Sequence, residues 1–103
     1  MKEYINMESK FYWAFNAFDI QSTQAILDGA ARENKSVIIQ TSMKAFKIID
    51  KGCLRFIITE YNKSHDSKVY LHLDHCREIE MIKQAIECGW DSVMIDASDK
   101  PIE

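Results

Sequence analysis

Short apolar segments alternate along the chain with longer segments in which apolar residues recur at helical spacing. One apolar segment, formed by Val37, Ile38 and Ile39, is an unbroken β-branched run, which is typical of a strand covered on both faces. The other apolar segments are also short, and they are rich in aromatic or aliphatic residues. Together they predict four strands, near residues 11–17, 36–41, 68–74 and 92–96.

The first two helical segments carry recognisable start and stop signals. Residues 20–34 follow Asp19, which can cap a helix, and end at Asn34, a residue that tolerates the left-handed conformation of a helix stop. Residues 43–61 have apolar positions at three- and four-residue steps, but Gly52 interrupts them. We therefore expect one helix in the first segment, and in the second segment either one continuous helix or two pieces divided at Gly52.

The last helical segment has the most regular apolar stripe in the chain, and Gly89 stands at its natural end. Its stripe consists of Ile79, Ile82, Ala85 and Ile86. The order of elements is thus βαβαβαβ. Because continuous apolar strands alternate with helices, the sequence predicts an α/β fold whose strands pair in parallel through right-handed crossovers.

Two architectures are compatible with this order, and the spacing of the elements does not choose between them. One is an open, doubly wound sheet; the other is part of a (β/α)8 barrel, which takes about 250 residues when complete. No GxGxxG or GxxxxGK[ST] motif follows a strand, and the chain has only 3 glycines. The nucleotide-binding versions of the open sheet therefore lose support.

Composition narrows the class of protein further. With 103 residues, 47% of them hydrophobic, and a net charge of −3, the chain has the character of one soluble unit with no basic face for nucleic acid. Cys53, Cys76 and Cys88 include no CxxC pair, which argues against a disulfide framework and fits a reducing compartment. Glu3 and Glu8 interrupt any apolar leader, and no apolar run is long enough to span a membrane. We expect a cytoplasmic protein.

Polar residues follow every predicted strand, at the edge of the sheet where α/β proteins place their active sites. They are Asn16, Gln40, Ser42, His72, Asp74, His75, Asp96 and Ser98. Isolated hydroxyl residues such as Ser42 and Ser98 are also common helix caps, and capping is the simpler interpretation of both.

The segment from His72 to His75 is the most informative, because two imidazoles and a carboxylate crowd the end of an apolar strand. It is either a metal or acid/base site or a solvated polar cluster. In a regular strand His72 and His75 would point to opposite faces, about 10 Å apart along the chain, so we do not expect them to share one ion. Asp96 follows the next strand, where it either approaches Asp74 and helps to bind a cation or caps a helix.

Five segments, in order through the whole chain, resemble the class II, metal-dependent fructose- and tagatose-bisphosphate aldolases. They are AFN at 14–16, QAIL at 24–27, SVIIQTS at 36–42, LHLDH at 71–75 and SVMIDAS at 92–98. The resemblance implies the first half of a TIM barrel. It also implies zinc-dependent, reversible cleavage of a ketose bisphosphate to dihydroxyacetone phosphate and glyceraldehyde 3-phosphate, without a Schiff-base lysine.

The resemblance also assigns roles to individual residues. It implies that His75 is a zinc ligand, Asp74 the acid that moves the proton, and Asp96 a residue near an additional cation. It further implies that Ser42 contacts a substrate phosphate and that Asn16 lines the substrate pocket. Zinc is then the cofactor, with a possible second cation, and sugar bisphosphates and triose phosphates are the partners, with neither nucleic acid nor membrane among them.

A complete barrel of this family would be more than twice as long as the chain. We therefore expect residues 1–103 to be a single unit, the N-terminal part of a barrel that is incomplete at its C-terminus. Segments 11–18 and 92–98 would be unpaired strand edges, which invite a homo-oligomer or other association. Three interpretations stay open: a piece of an aldolase, a half-barrel completed by a copy or a second chain, and a non-catalytic remnant that binds phosphate or metal.

Overall fold

A computed structural model of the protein describes residues 2–5 and 11–95. Within these ranges the chain forms five strands and four helices. In order, they are β1 (Lys2–Ile5), β2 (Phe11–Asn16), α1 (Ile20–Glu33), β3 (Val37–Thr41), α2 (Met43–Ile48), α3 (Lys51–Ser64), β4 (Val69–Cys76), α4 (Ile79–Glu87) and β5 (Ser92–Ile95). None of the helices in the described ranges is long and apolar enough to cross a membrane.

The strands form one sheet in sequential order, and β2, β3, β4 and β5 run parallel to one another. This confirms the α/β fold and the four predicted strands. Strand β1 was not predicted, since four residues of mixed polarity give no strand signal. It pairs antiparallel with β2, so the expectation that segment 11–18 is an open edge is wrong.

Local capping sets the bounds of the first helices. Asp19 caps α1 by accepting a hydrogen bond from the Ser22 N–H at 2.7 Å. That N–H, and after it the Ser22 hydroxyl, favour the ionised carboxylate and lower the pKa of Asp19 below its ordinary value. Asn34 ends the helix at φ 51°, in the left-handed region, as predicted.

The second helical segment is indeed divided, but the break lies at Ile49 and Asp50, before Gly52. Helix α2 stops at Ile48, and Asp50 starts α3 by accepting a hydrogen bond from the Cys53 N–H at 2.9 Å. Gly52 lies inside the first turn of α3. A side-chain cap, which satisfies an otherwise unpaired helical N–H, therefore fixes the boundary more strongly than the glycine does.

The core lies between the helices and one face of the sheet. On that face, β3 and β4 contribute fully or nearly fully buried aliphatic residues, which are Val37, Ile39, Val69, Leu71 and Leu73. The helices cover them with Leu27, Phe46, Leu54, Ile58, Met81 and Ala85. Because side chains alternate along a strand, the residues between these positions lie on the opposite face, away from the helices.

Helix α4 uses only part of its predicted apolar stripe. Ala85 is buried and Ile82 is partly buried, but Ile79 and Ile86 are each 64% exposed. Met81, which the stripe did not include, is buried instead. The helix is thus rotated so that one edge of its apolar surface faces outward.

The turn between α4 and β5 is fixed by Arg55 of α3. Its Nη1 donates to the Gly89 carbonyl at 2.6 Å and lies 3.5 Å from Oδ2 of Asp91. Asp91 in turn pairs twice with Leu71: its N–H donates to the Leu71 carbonyl at 2.9 Å, and its Oδ2 accepts from the Leu71 N–H at 2.8 Å. These bonds set how far β5 is displaced along β4.

We predict that Gly89→Ala destabilises the protein by about 1–2 kcal/mol, the usual cost of placing an L side chain in a left-handed conformation. Gly89 has φ +90°, and an added Cβ would lie 2.9 Å from Cδ of Arg55. The matched control is Gly29→Ala in α1, where nothing lies within 4 Å of the new methyl group. That change should stabilise by up to about 1 kcal/mol. Urea unfolding of both variants measures the difference, and equal effects would contradict the prediction.

Candidate active site

Four polar residues form a row across the parallel strands, on the face away from the helices. The strand register aligns Asn16 of β2 with Gln40 of β3, Gln40 with His72 of β4, and His72 with Ser92 of β5. We call these four residues the polar row. The interiors of (β/α)8 barrels are mostly filled with branched apolar side chains, so a polar layer across four strands makes this face a candidate site.

Hydrogen bonds connect neighbours within the polar row. Gln40 is buried, and its Nε2 donates to Oδ1 of Asn16 at 3.0 Å. His72 is buried as well, and its Nδ1 lies 2.7 Å from Oγ of Ser92. Both distances are within the usual range for hydrogen bonds between side chains.

Asp74 lies two residues beyond His72 and therefore on the same face of β4. Its side chain is only 12% exposed and is flanked by two imidazoles. Its Oδ1 lies 3.7 Å from Nε2 of His72, and its Oδ2 lies 3.7 Å from Nε2 of His75. The carboxylate is thus largely shielded from solvent and lies between two groups that can carry a proton, an arrangement compatible with a general acid/base.

His75 departs from the regular strand geometry that the sequence analysis assumed. The β4–β5 pairing is irregular between Leu73 and Cys76, and His75 has φ 46°, in the left-handed region. This bulge breaks the alternation of side chains, so both imidazoles approach the one Asp74 carboxylate instead of pointing to opposite faces. The His75 side chain is 59% exposed, which leaves it accessible to a ligand.

The described residues do not form a metal site by themselves. Within residues 2–5 and 11–95, no group of three or more His, Cys, Asp and Glu residues is arranged to hold a metal ion. A catalytic zinc ion usually has three protein ligands and one open position. Of the two imidazoles beside Asp74, that of His75 is exposed, whereas that of His72 is buried against Ser92. A zinc ion here would therefore need further ligands from outside the described residues.

Comparison with known proteins agrees with this arrangement. A family model described as class II fructose-bisphosphate aldolase matches residues 2–103. The chain belongs to the class II fructose-bisphosphate aldolase family. It is 37% identical over 93 residues to the fructose-bisphosphate aldolase of Staphylococcus aureus. The matched region covers 86% of this chain and 32% of that protein.

A second relative of this aldolase-family chain has another name. Over 112 residues the chain is 37% identical to the 6-phospho-5-dehydro-2-deoxy-D-gluconate aldolase of Bacillus licheniformis, covering 100% of this chain and 37% of that protein. In fold it is similar to the YdjI aldolase of Escherichia coli, with a TM-score of 0.72 and 24% identity over 85% of this chain and 34% of that one. The chain therefore spans about a third of the length of these relatives, and its four parallel strands have the arrangement of a half-barrel.

The structure places the residues that the sequence analysis singled out in different surroundings. Asn16 is in the polar row, at the end of β2. Ser42 caps α2, where its Oγ accepts a hydrogen bond from the Ala45 N–H at 3.1 Å, as the simpler interpretation expects. Asp96 and Ser98 lie outside the described residues. The structure therefore brings Asn16, His72, Asp74 and His75 together on one face and places Ser42 at a neighbouring helix start.

Sequence reasoning about the aldolase site missed Ser92. It inspected the residues that follow each strand, whereas Ser92 begins β5. Strand β4 starts at Val69, but Ser92 pairs with His72, so β5 begins three positions further along the sheet. Strand stagger of this kind is a general feature of barrels, and it brings the start of one strand beside the functional end of its neighbour.

Proposed function

We propose that the chain is the N-terminal part of a zinc-dependent class II ketose-bisphosphate aldolase. The reaction is the reversible aldol cleavage of fructose or tagatose 1,6-bisphosphate to dihydroxyacetone phosphate and glyceraldehyde 3-phosphate. The observation that carries the proposal is the shielded Asp74 carboxylate between His72 and His75, at the carboxyl end of a parallel strand. On this proposal residues 1–103 are one unit of a larger barrel, a lyase of carbohydrate metabolism in the cytoplasm.

In this proposal Asp74 moves the proton at the hydroxyl group of the bond that is cleaved. Its low exposure and its two imidazole neighbours hold the carboxylate in one place, which a proton-transfer group needs in order to meet a bound hydroxyl. His75 supplies one ligand to zinc, which when bound polarises the ketose carbonyl. Asp96 would lie near a second cation, whose hard character suits a carboxylate oxygen.

The substrate contacts proposed for this chain are a phosphate contact at Ser42 and a pocket contact at Asn16. Gln40 donates a hydrogen bond to Oδ1 of Asn16, so the orientation of the Asn16 amide is set before a substrate binds. The two relatives are named for different phosphorylated substrates, which supports the aldol reaction class more strongly than it supports one sugar. The proposal therefore does not choose between fructose and tagatose 1,6-bisphosphate.

A second candidate is a half-barrel that assembles with a copy of itself or with another chain. Apolar surface at both ends of the described sheet favours it. At the β5 end, Ile86 and Ile95 are exposed. At the β2 end, a groove of about 440 Å³ lies between α1 and the strands, lined mainly by apolar residues that include Trp13, Phe15 and Ile26. Strand β1 nevertheless pairs with β2, so assembly through that strand edge would require β1 to move.

We predict that the purified 103-residue chain, supplied with zinc, neither cleaves fructose or tagatose 1,6-bisphosphate nor binds zinc tightly. Only one of the three protein ligands that catalytic zinc requires is assigned in it. The measurements are metal content after dialysis, oligomeric state, and release of triose phosphate. A discrete dimer with stoichiometric zinc and measurable cleavage would instead establish the self-assembled half-barrel.

A further inference from the structure

We infer that Ser92 is a positioning residue of this site: it holds the His72 ring with its proton on Nε2, directed at the Asp74 carboxylate. The role of Asp74 rests on the proposed function, but the orientation of His72 does not. His72 and Asp74 lie on β4, and Ser92 lies on the adjacent β5. The His72 ring is between the other two side chains: its Nδ1 lies 2.7 Å from Ser92 Oγ, and its Nε2 lies 3.7 Å from Asp74 Oδ1.

The backbone places Ser92 beside His72 through the residue that precedes it. Asp91 bonds to both the N–H and the carbonyl of Leu71, so the next residues along the two strands, Ser92 and His72, are direct partners. Arg55 holds this junction from the side of α3 through its contacts with Asp91 and Gly89. The Ser92 hydroxyl is therefore delivered to the ring by a fixed register and not by a free loop.

The chemistry of Ser92 and Asp74 indicates which nitrogen of the His72 ring carries the proton. An ionised carboxylate only accepts hydrogen bonds, so a bare nitrogen facing Asp74 would place two lone-pair groups against each other. A serine hydroxyl, by contrast, can donate as well as accept a hydrogen bond. The tautomer with Nε2–H avoids this repulsion at Oδ1 of Asp74, 3.7 Å away, and allows Nδ1 to accept a hydrogen bond from Ser92 Oγ–H at 2.7 Å.

His65 provides an internal comparison with the opposite tautomer. Its Nδ1 lies 2.9 Å from the Tyr61 carbonyl and 3.2 Å from Oγ of Ser64. Because a carbonyl only accepts, the proton of neutral His65 must be on Nδ1. The chain therefore contains two serine–histidine pairs whose rings should differ in tautomer, and one spectrum reports both.

The test is NMR of the full chain labelled with ¹⁵N in its imidazoles and ¹³C in its carboxylates, recorded in alkaline buffer where the rings are neutral. In the unsubstituted chain we expect His72 in the Nε2–H form and His65 in the Nδ1–H form. Ser92→Ala should turn His72 into a mixture of tautomers and shift the Asp74 carboxylate resonance, while His65 stays unchanged and reports that the chain is folded. Ser92→Thr, which keeps the hydroxyl, should restore both signals.

The matched control is Ser64→Ala, which removes a serine hydroxyl from the other pair and should leave His72 and Asp74 unchanged. An Nδ1–H form of His72 in the unsubstituted chain would overturn the inference. So would a Ser92→Ala spectrum in which either His72 or Asp74 is unaltered while His65 remains native. None of these outcomes depends on aldolase activity, so the inference and the proposed function fail separately.

Discussion

Asp74→Ala should lower aldol cleavage by about 10²–10⁴ in any form of the protein that carries the rest of the barrel, the usual range for loss of a general acid/base. The reason is that the 12% exposed carboxylate is the proton-transfer group in the proposed reaction and is held between His72 and His75. Metal content should be largely retained, because Asp74 is not a proposed ligand. Steady-state kinetics and metal analysis of the same preparation measure the two effects together.

His75→Ala is the complementary change, and it should lose the metal together with the activity. Two neighbouring loop residues at the other end of the sheet, His65 and Asp66, supply matched controls. His65→Ala and Asp66→Ala remove the same side-chain types, and they should affect neither turnover nor metal content. Normal turnover in Asp74→Ala, or full metal content in His75→Ala, would show that the assigned roles are wrong.

Local signals in the sequence were sufficient for most of the fold. The β-branched run from Val37 to Ile39 lies in a buried strand, and Asn34 ends α1 in the left-handed conformation. Both outcomes depend on interactions between residues close in the chain. Strand β1 lacks such a local signal, because only its pairing with β2 marks Lys2–Ile5 as a strand. It was therefore missed.

Features that depend on contacts between distant parts of the chain could not be predicted from the pattern of residues. The stripe on α4 was recognised, but the pattern does not state which part of it the sheet covers, and Ile86 proved to be exposed. The left-handed His75 was not foreseen, because nothing about a histidine at a strand end requires φ 46°. The position of Ser92 depends on the register that Asp91 and Arg55 impose. The roles of Asp74 and His75, in turn, came from family resemblance and not from spacing.

The second large effect concerns the packing beneath the site. Phe46→Ala should destabilise the protein by about 3–5 kcal/mol, the range for removing a fully buried aromatic ring. The Phe46 ring is 0% exposed and meets the Trp90 ring edge-on, with centroids 5.0 Å apart. Lys51 Nζ lies 4.7 Å from the centre of the same ring, so the change also removes a cation–π contact. Small domains have about 5–15 kcal/mol of stability in total, so the loss is severe.

Phe56→Ala is the matched control, because it makes the same change on α3 at a ring that is 65% exposed, and it should alter stability by no more than about 0.5 kcal/mol. Urea unfolding, with the slope of the transition checked for constancy, compares the two variants. Phe46→Ala should also disturb the alignment of β5 with β4 at the candidate active site. Trp90, whose Nε1 donates to Oγ1 of Thr41, directly precedes Asp91, the residue that sets the β5 register. Equal and small effects of the two substitutions would contradict the packing argument, whereas a large loss at Phe46 alone would show that the core supports the strand alignment on which the site depends.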